Sequence, residues 1–365
     1  MNTKRSFVFI LGKPLLNSVS DLPVAELQPG QEELWDAYVH RSPGAGFFHL
    51  AGWRRVLEKT YGHETRYLTV GDGGEVRGIL PLFIVRSRIF GTHVSSTPGG
   101  ILATDECAGQ ALLQAGIAIA ESVDAEIFLL TGGTRLWDGN LITVQRHCTQ
   151  RLALPADPTQ LWKSISRHKR KNVNTAERAG LSVVFGGEAH IDFFYEVFSH
   201  NLRDLGTPMF GKALLRNILS EFPEQTRILV VKQGERPVGS LLLFVLDGVV
   251  YAQWAASFRD SFSARPNDLL YWEMLRWACR QGYHCCDMGR SQWGSGPYAF
   301  KELWGAKTHP LYYQYFIRRG VEIPDLDLKV DRVLKYRLAI RTWQRLPVGI
   351  TRRIGPYFRK YLYPL

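Results

Sequence analysis

Between residues 31 and 61 apolar positions recur at helical spacing in "EELWDAYVH" and in "GWRRVLEKTYG", the second stretch opened by a glycine-rich turn. "TRYLTVGDGGEVRGILPLFIVRS" then reads as a hairpin: a strand, a turn around Asp72, Gly73 and Gly74, and a second strand that reaches Pro81. A loop, "STPGGILA", leads to an alanine-rich helix, "CAGQALLQAGIAIAESV", and a strand, "AEIFLLTGG". From about residue 155 the order starts again. "DPTQLWKSISRHKRKNVNTAERAG" predicts one helix that Asp157 or Thr159 can cap and Gly180 can end. "HIDFFYEVFSHNLRDLG" and "KALLRNILSEFP" predict two more, the latter closed before Pro223. Three strands follow, "TRILVVKQ", "RPVGSLLLFVLD" and "VVYAQWAAS", with turns at Gly234 and at Asp247-Gly248. The pattern ends with a helix ("NDLLYWEMLRWACRQG"), a strand ("YHCCDMG"), a short helix ("AFKELWGA") and a closing strand ("HPLYYQYFI").

Helices, three antiparallel strands, helix, strand, helix, strand is similar to the element order of the N-acetyltransferase (GNAT) fold, and a weaker form of it occupies the first half. The expected class is α/β (α+β): two tandem GNAT-like domains, residues 1–154 and 155–320, each a mixed sheet flanked by helices, with a basic helical tail over 321–365. No local repeat is visible, so the duplication rests on element order alone. A chain of 365 residues also exceeds what one hydrophobic core usually serves.

Composition narrows the function classes. Five cysteines without CxxC spacing suggest neither a disulfide framework nor structural zinc, and a reducing cytoplasm fits best. The N-terminal "KRSFVFILGKP" is short for a signal peptide, and the longest apolar stretch, "VGSLLLFVL", is far below the roughly twenty residues of a membrane span. HExxH, GxSxG, a Walker loop and zinc-like Cys/His spacing are absent, so no metal is expected. The net charge of +11 is uneven: residues 329–365 hold ten basic residues against Asp331. A helix from about 327 to 345, with Val330, Val333, Leu334 and Leu338 on one side and cations along its flanks, fits an anionic membrane interface reached through residues 327–365; docking on the protein, a disordered tail and nucleic-acid binding are the alternatives.

The densest chemistry lies in four stretches: "RHKRKNVNTAERAG", "LRDLGTPMF", "NDLLYWEMLRWACRQGYHCCDMGRS" and "GPYAFKELWGA". Through them residues 160–317 resemble the second half of the Fem family, non-ribosomal peptidyltransferases that attach amino acids to cell-wall precursors. The last three resemble in particular the subgroup found beside exosortase (PEP-CTERM) and exopolysaccharide loci; the first half matches chiefly in "GILPL" and "TPGG". The resemblance implies that Lys301, in "FKELWG", occupies an acyl-transfer site. A cation is needed there because attack of an amine on an ester or thioester develops an oxyanion. Lys301 is expected to lie with its stem between Phe300 and Trp304 and its head free; a solvated helix lysine is the structural alternative.

Asp287 and Arg290 end a strand, where such sheets present ligand-binding groups. Asp287 is expected to orient or deprotonate the acceptor and Arg290 to clamp a phosphate or carboxylate, the alternative being an ion pair between the two. On a helix Arg167, Arg170, Lys171 and Asn174 fall at i, i+3, i+4 and i+7, a basic face for phosphate, with Arg170 and Lys171 the chosen contacts. Asp204 and Thr207, beside the helix stop at Gly206, with Tyr251, Trp254, Asn267 and Tyr298 complete the substrate-binding candidates; Asn267 can instead cap the next helix. Cys285 as a nucleophile is a remote alternative.

No bound cofactor is expected, only an acyl donor as co-substrate. "SFRDSFSARPNDLLYW", where acetyltransferases of this fold cradle coenzyme A pyrophosphate, has no glycine, and Pro266 lacks an N–H. Acetyl-CoA is therefore disfavoured, although Arg259 and Arg265 could hold phosphates by their side chains. The donor stays open between aminoacyl-tRNA, acyl-CoA and an acyl carrier protein. The resemblance implies an N-acyltransferase acting on a cell-envelope, peptidoglycan or exopolysaccharide precursor, in the cytoplasm and attached peripherally to the inner membrane. A non-catalytic scaffold that binds such a precursor is the competing class.

Overall fold

The computed structural model describes residues 22–72, 75–87, 91–319 and 334–361. The N-terminal stretch weighed as a signal peptide, the two glycines of the first hairpin turn and residues 327–333 of the expected tail helix lie outside them. The first half runs β1 (Val24–Glu26), α1 (Glu32–Arg41), α2 (Gly52–Tyr61), β2 (Glu64–Asp72), β3 (Glu75–Ser87), β4 (Gly91–Ser96), β5 (Leu102–Ala103), α3 (Glu106–Ser122), β6 (Ile127–Gly133) and β7 (Ile142–Ala153). β2 and β3 form the expected hairpin, and β3 continues past Pro81 to Ser87. α3 starts where the Asp105 side chain accepts from the Ala108 N–H.

The second half runs α4 (Pro158–Ser164), α5 (Arg167–Arg178), β8 (Leu181–Gly186), α6 (Ile191–Leu205), α7 (Lys212–Glu221), β9 (Thr226–Gln233), β10 (Arg236–Leu246), β11 (Val249–Ser257), α8 (Pro266–Arg280), β12 (Cys285–Asp287), β13 (Ser291–Gln292), α9 (Gly296–Glu302) and β14 (Lys307–Ile317). The single helix expected over 157–180 is two. Ile165 turns extended and Ser166 caps a fresh start, its hydroxyl accepting from the Lys169 N–H.

All these strands join one sheet, ordered β1-β2-β3-β4-β6-β14-β7-β12-β11-β10-β9-β8, with β5 on β3 and β13 on β7. The order crosses the halves. β14, the last strand of the second half, pairs antiparallel with β6 of the first. β7, the last of the first half, pairs antiparallel with β12 of the second, and β7 and β14 also pair with each other. Each half is thus completed by a strand from the other, and the expected boundary after residue 154 falls where β7 has already crossed.

The core follows the same logic. One cluster belongs to the first half, around Leu80, Leu112 and Phe128, and one to the second, around Leu241, Leu270 and Met274. The largest is shared: Trp35, Phe47 and Trp53 pack with Phe194, Phe210, Phe222 and Phe244. Phe47 stacks on Phe244 at 4.1 Å between ring centroids and meets Phe222 at 4.9 Å. Such aromatic pairs contribute about 0.5–1.5 kcal/mol each beyond the area they bury.

The tail is a helical pair, α10 (Leu334–Arg345) and α11 (Val348–Arg359), separated at Pro347. The second helix was not expected. Both pack on α6. Arg352 donates from Nε to Ser199 Oγ at 2.8 Å and from Nη2 to the Glu196 carboxylate at 2.7 Å, and Arg203 donates to the Leu346 carbonyl at 3.2 Å. Gly206 and Gly355 allow this approach, since a Cβ at either would collide with Ile340 or with the Met209 backbone.

A chain ended after residue 154 would leave β7 without both neighbours and expose Phe47 and Trp53. Residues 1–154 or 155–365 alone are expected to show no cooperative thermal transition by circular dichroism. The two fragments produced together should restore one.

Candidate active site

Parallel strands β11 and β12 pair over only three positions, Val249 with Cys285, Val250 with Cys286 and Tyr251 with Asp287. Beyond them β11 continues to Ser257, while the other chain turns away through Met288, Gly289 and Arg290. The two strands therefore part at Tyr251 and Asp287, which opens the sheet edgewise. Gly289 sits at the fork with φ 78°, and a Cβ there would strike the Ala252 carbonyl oxygen. Only glycine fits that turn without strain.

Asp287 is buried at this fork, and both of its carboxylate oxygens are bonded. Oδ1 accepts from the Gly289 N–H at 2.9 Å and from the Thr149 hydroxyl; Oδ2 accepts from Arg151 Nε at 3.1 Å. The ion pair weighed for Asp287 with Arg290 does not form: its partner is Arg151 of β7, directly opposite in register. Arg290 instead donates to the Tyr313 hydroxyl of β14 at 3.0 Å. His147 lies tilted against Tyr313 at 5.3 Å between ring centroids, and its pKa is lowered to about 4 by burial and then by Arg290 and Arg146, so it is neutral at pH 7. Burial, and then the Asp287 charge, pushes the Tyr251 hydroxyl well above its ordinary value.

Lys301 is carried by α9, a short helix capped by Ser295 with Pro297 in its first turn. Its side chain is 6 % exposed. The head is not free, as the sequence suggested. Nζ donates to the Gly289 carbonyl at 2.6 Å and to the Arg290 carbonyl at 3.2 Å, because the fork turns two main-chain oxygens toward α9. Burial lowers its pKa to about 8, an effect partly offset by Asp287. Two of its three N–H groups are used, and the third has no partner among the described residues.

The faces expected to hold it, Phe300 and Trp304, serve a different cation. Lys169 Nζ lies 3.5 Å from the Phe300 ring centroid and 5.0 Å from that of Trp304, and donates to Asp268 Oδ1 at 2.8 Å. Asn172 donates to the other oxygen of that carboxylate at 3.3 Å. Lys169 and Asp268 are both buried, so α5, α8 and α9 meet at one desolvated ion pair. The sequence reading passed over Lys169, yet the signal was present: it shares a helical face with Val173 and Ala176, the buried stripe of α5.

Residues 163–302 match a family model described as an acetyltransferase (GNAT) domain. No curated protein matches the chain. Among solved structures, FemX superposes with a TM-score of 0.64 at 16% identity over 81% of this chain and 97% of that one. L-PGS from Bacillus licheniformis gives 0.54 at 14% over 88% and 98%. A tandem GNAT protein from the clavulanic acid biosynthesis pathway gives 0.56 at 11% over 83% and 100%. The fold is a tandem GNAT fold.

Around the fork of the second GNAT-like half the structure gathers Asp287, Lys301, Tyr251 and Arg290, with Thr149 and Arg151 from β7, which the sequence reading had not singled out. The other candidates have local duties. Arg170 spends one end of its guanidinium locally: Nη1 donates to the Trp162, Lys163 and Ile165 carbonyls at 2.6–3.1 Å and closes the end of α4. Lys171 is exposed on the side of α5 opposite Lys169. Asp204 accepts from Arg203 at 2.6 Å and pairs with Arg259 at 3.4 Å, while the Thr207 N–H bonds the Leu202 carbonyl in the helix stop at Gly206. Trp254 packs 4.7 Å from Phe210. Asn267 is not a cap, because α8 begins one residue earlier, at Pro266; it accepts from Ser257 Oγ at 2.7 Å. Tyr298 bonds Glu302 one turn on, and its carbonyl accepts from Gln150 Nε2. Burial raises the Cys285 thiol pKa, which argues against a nucleophile.

Removing the cation from the buried pair strands a carboxylate. Lys169→Met is expected to cost about 3–5 kcal/mol in urea denaturation, whereas Lys169→Met with Asp268→Leu should recover most of the loss.

Proposed function

We propose that this protein is a Fem-like N-acyltransferase that moves an acyl or aminoacyl group onto an amine of a cell-envelope, peptidoglycan or exopolysaccharide precursor. The observation that carries the reading is Lys301: a buried ammonium at the fork of two parallel strands, with one N–H unspent. The acceptor nitrogen attacks the carbonyl carbon of the donor ester or thioester and forms the new C–N bond. The carbonyl electron pair moves onto oxygen, where Lys301 stabilises it. As the intermediate collapses, the bond to the leaving oxygen or sulfur breaks, and the proton from nitrogen passes to that leaving group. Asp287, with three hydrogen bonds shared between its two oxygens, holds Gly289 and Arg151 in place and so shapes the fork; this reading gives it a positioning role in place of direct proton abstraction.

Two observations bear on the donor. The α8 N-terminus, where this fold places a pyrophosphate, is led by Arg265 in left-handed backbone (φ 61°) and carries buried Asp268 in its first turn. A carboxylate there disfavours a second anion, even with Lys169 paired to it. Arg259, a possible phosphate ligand, is held by Asp204. Both weigh against a pyrophosphate bound at this helix end, and the donor stays open among aminoacyl-tRNA, acyl-CoA and an acyl carrier protein. Support for the envelope-precursor acceptor comes from the "FKELWG" motif and the likeness to FemX.

The test is a donor panel of aminoacyl-tRNAs, acyl-CoAs and acyl carrier thioesters, assayed with lipid- and nucleotide-linked envelope precursors. Lys301→Ala is expected to lower kcat/KM by about 10²–10³. Unchanged rates in that variant would remove the assigned role, and transfer from acyl-CoA alone would establish the acyl-CoA-dependent alternative. The pH profile carries a sign. Lys301 is charged below its pKa of about 8, so kcat/KM is expected to fall as pH rises through about 8, and Lys301→Arg should move that limb upward. A limb that rises there would mean the neutral amine is the working form.

A further inference from the structure

We propose that α10 and α11 form a docking surface for an anionic phospholipid bilayer, lying in the plane of its interface. Their inner sides are spent on the protein. Thr351 and Gly355 are buried, Arg352 is tied to Ser199 and Glu196, Arg359 lies half-buried beside Tyr61, and Tyr361 packs on Leu57 and Phe83. Their outer sides have another character. On α10, Leu338, Arg341, Thr342 and Arg345 fall at i, i+3, i+4 and i+7, and all are exposed. On α11 the exposed positions Ile350, Arg353 and Tyr357 fall at i, i+3 and i+7, with Phe358 following.

Single exposed apolar side chains are ordinary on a protein surface. Here they concentrate: of the nine large hydrophobic residues exposed among the described residues, four (Leu338, Ile350, Tyr357 and Phe358) stand on these two short helices. Leu338 is 64% and Tyr357 71% exposed. They also alternate with cations that have no acidic counterpart on either helix, since residues 334–361 contain eight Lys or Arg and no Asp or Glu. Arginine interleaved with aliphatic and aromatic side chains on one helical face is the chemistry of an interfacial helix. A nucleic-acid backbone would use the arginines and leave Leu338 and Ile350 in water, so the bilayer is the partner that employs both. Neither helix needs to enter deeply, and no helix among the described residues is long and apolar enough to cross a membrane. Trp343 and Phe358 meet edge to face at 6.0 Å between centroids, which joins the two helices.

The inference does not depend on the catalytic reading, and its test needs no substrate. The full-length protein is floated with vesicles of phosphatidylcholine alone and of phosphatidylcholine mixed with phosphatidylglycerol. Binding is expected only with phosphatidylglycerol and is expected to weaken as salt rises. Arg341→Glu, Arg345→Glu and Arg353→Glu together should lower the partition coefficient by at least about 10²-fold. Leu338→Ser with Tyr357→Ser should also lower it, with the far-UV spectrum unchanged. No binding of the wild-type protein to anionic vesicles overturns the proposal, as does binding that is insensitive to salt or to the charge variant. RNA retention that the charge variant loses while vesicle binding persists would overturn it in favour of nucleic acid.

Discussion

The pairing of β7 with β14 is the constraint on which the rest of the molecule depends. Neither strand belongs to the sheet of its own half alone: β7 runs between β14 and β12, and β14 between β6 and β7. Backbone N–H and C=O groups of a central strand must be bonded on both edges, so neither half can satisfy its sheet without the other. The shared aromatic cluster of Phe47, Trp53, Phe222 and Phe244 adds an apolar requirement to the polar one. Together they fix the angle between the halves, and with it the position of β7 side chains at the β11/β12 fork.

That placement explains why the fork is polar and yet ordered. Thr149 and Arg151 reach Asp287 from β7, and Asp287 in turn holds the Gly289 N–H. The turn so fixed presents the two carbonyls that receive Lys301. A second buried charge, Lys169 on Asp268, holds α9 from the other side through the faces of Phe300 and Trp304. Desolvation lowers the pKa of both lysines, and a neighbouring carboxylate opposes it in each case, Asp268 for Lys169 and Asp287 for Lys301. The tail contributes differently: Arg352 bonds α6, while Arg341, Arg345 and Arg353 are exposed.

Much of the fold was legible because local signals agreed. The long apolar runs of β9 and β10, the turn at Asp247-Gly248 and the Asp157 cap of α4 each point one way. β7 escaped because "ITVQRHCTQRLA" has no apolar alternation. Thr149 and Arg151 share one face and reach Asp287, while Gln150 on the other face bonds the Tyr298 carbonyl, so polar residues stand where an apolar alternation would have marked the strand. α11 escaped because Gly349, Gly355 and Pro356 read as helix breakers. Tertiary packing overrides them, and Gly355 is there to let the helix approach Met209. At the site, Lys301 and Asp287 were visible from the motif and the strand end. Their partners were not, since Thr149 lies 138 residues from Asp287 in sequence and no local pattern links them.

The exchanged strands also set a clock. Arg151 of β7 pairs with Lys307 of β14, and Ile142 with Tyr315, so β7 leaves the ribosome long before its neighbour exists. At about 5–20 residues per second, that interval lasts on the order of ten to thirty seconds. Through it the β7 edge that β14 will cover stays open, and for its first part the rings of Phe47 and Trp53 still await Phe222 and Phe244. The synthesis of β14 is then the step that fills the gap between β6 and β7 and makes the sheet continuous across both halves.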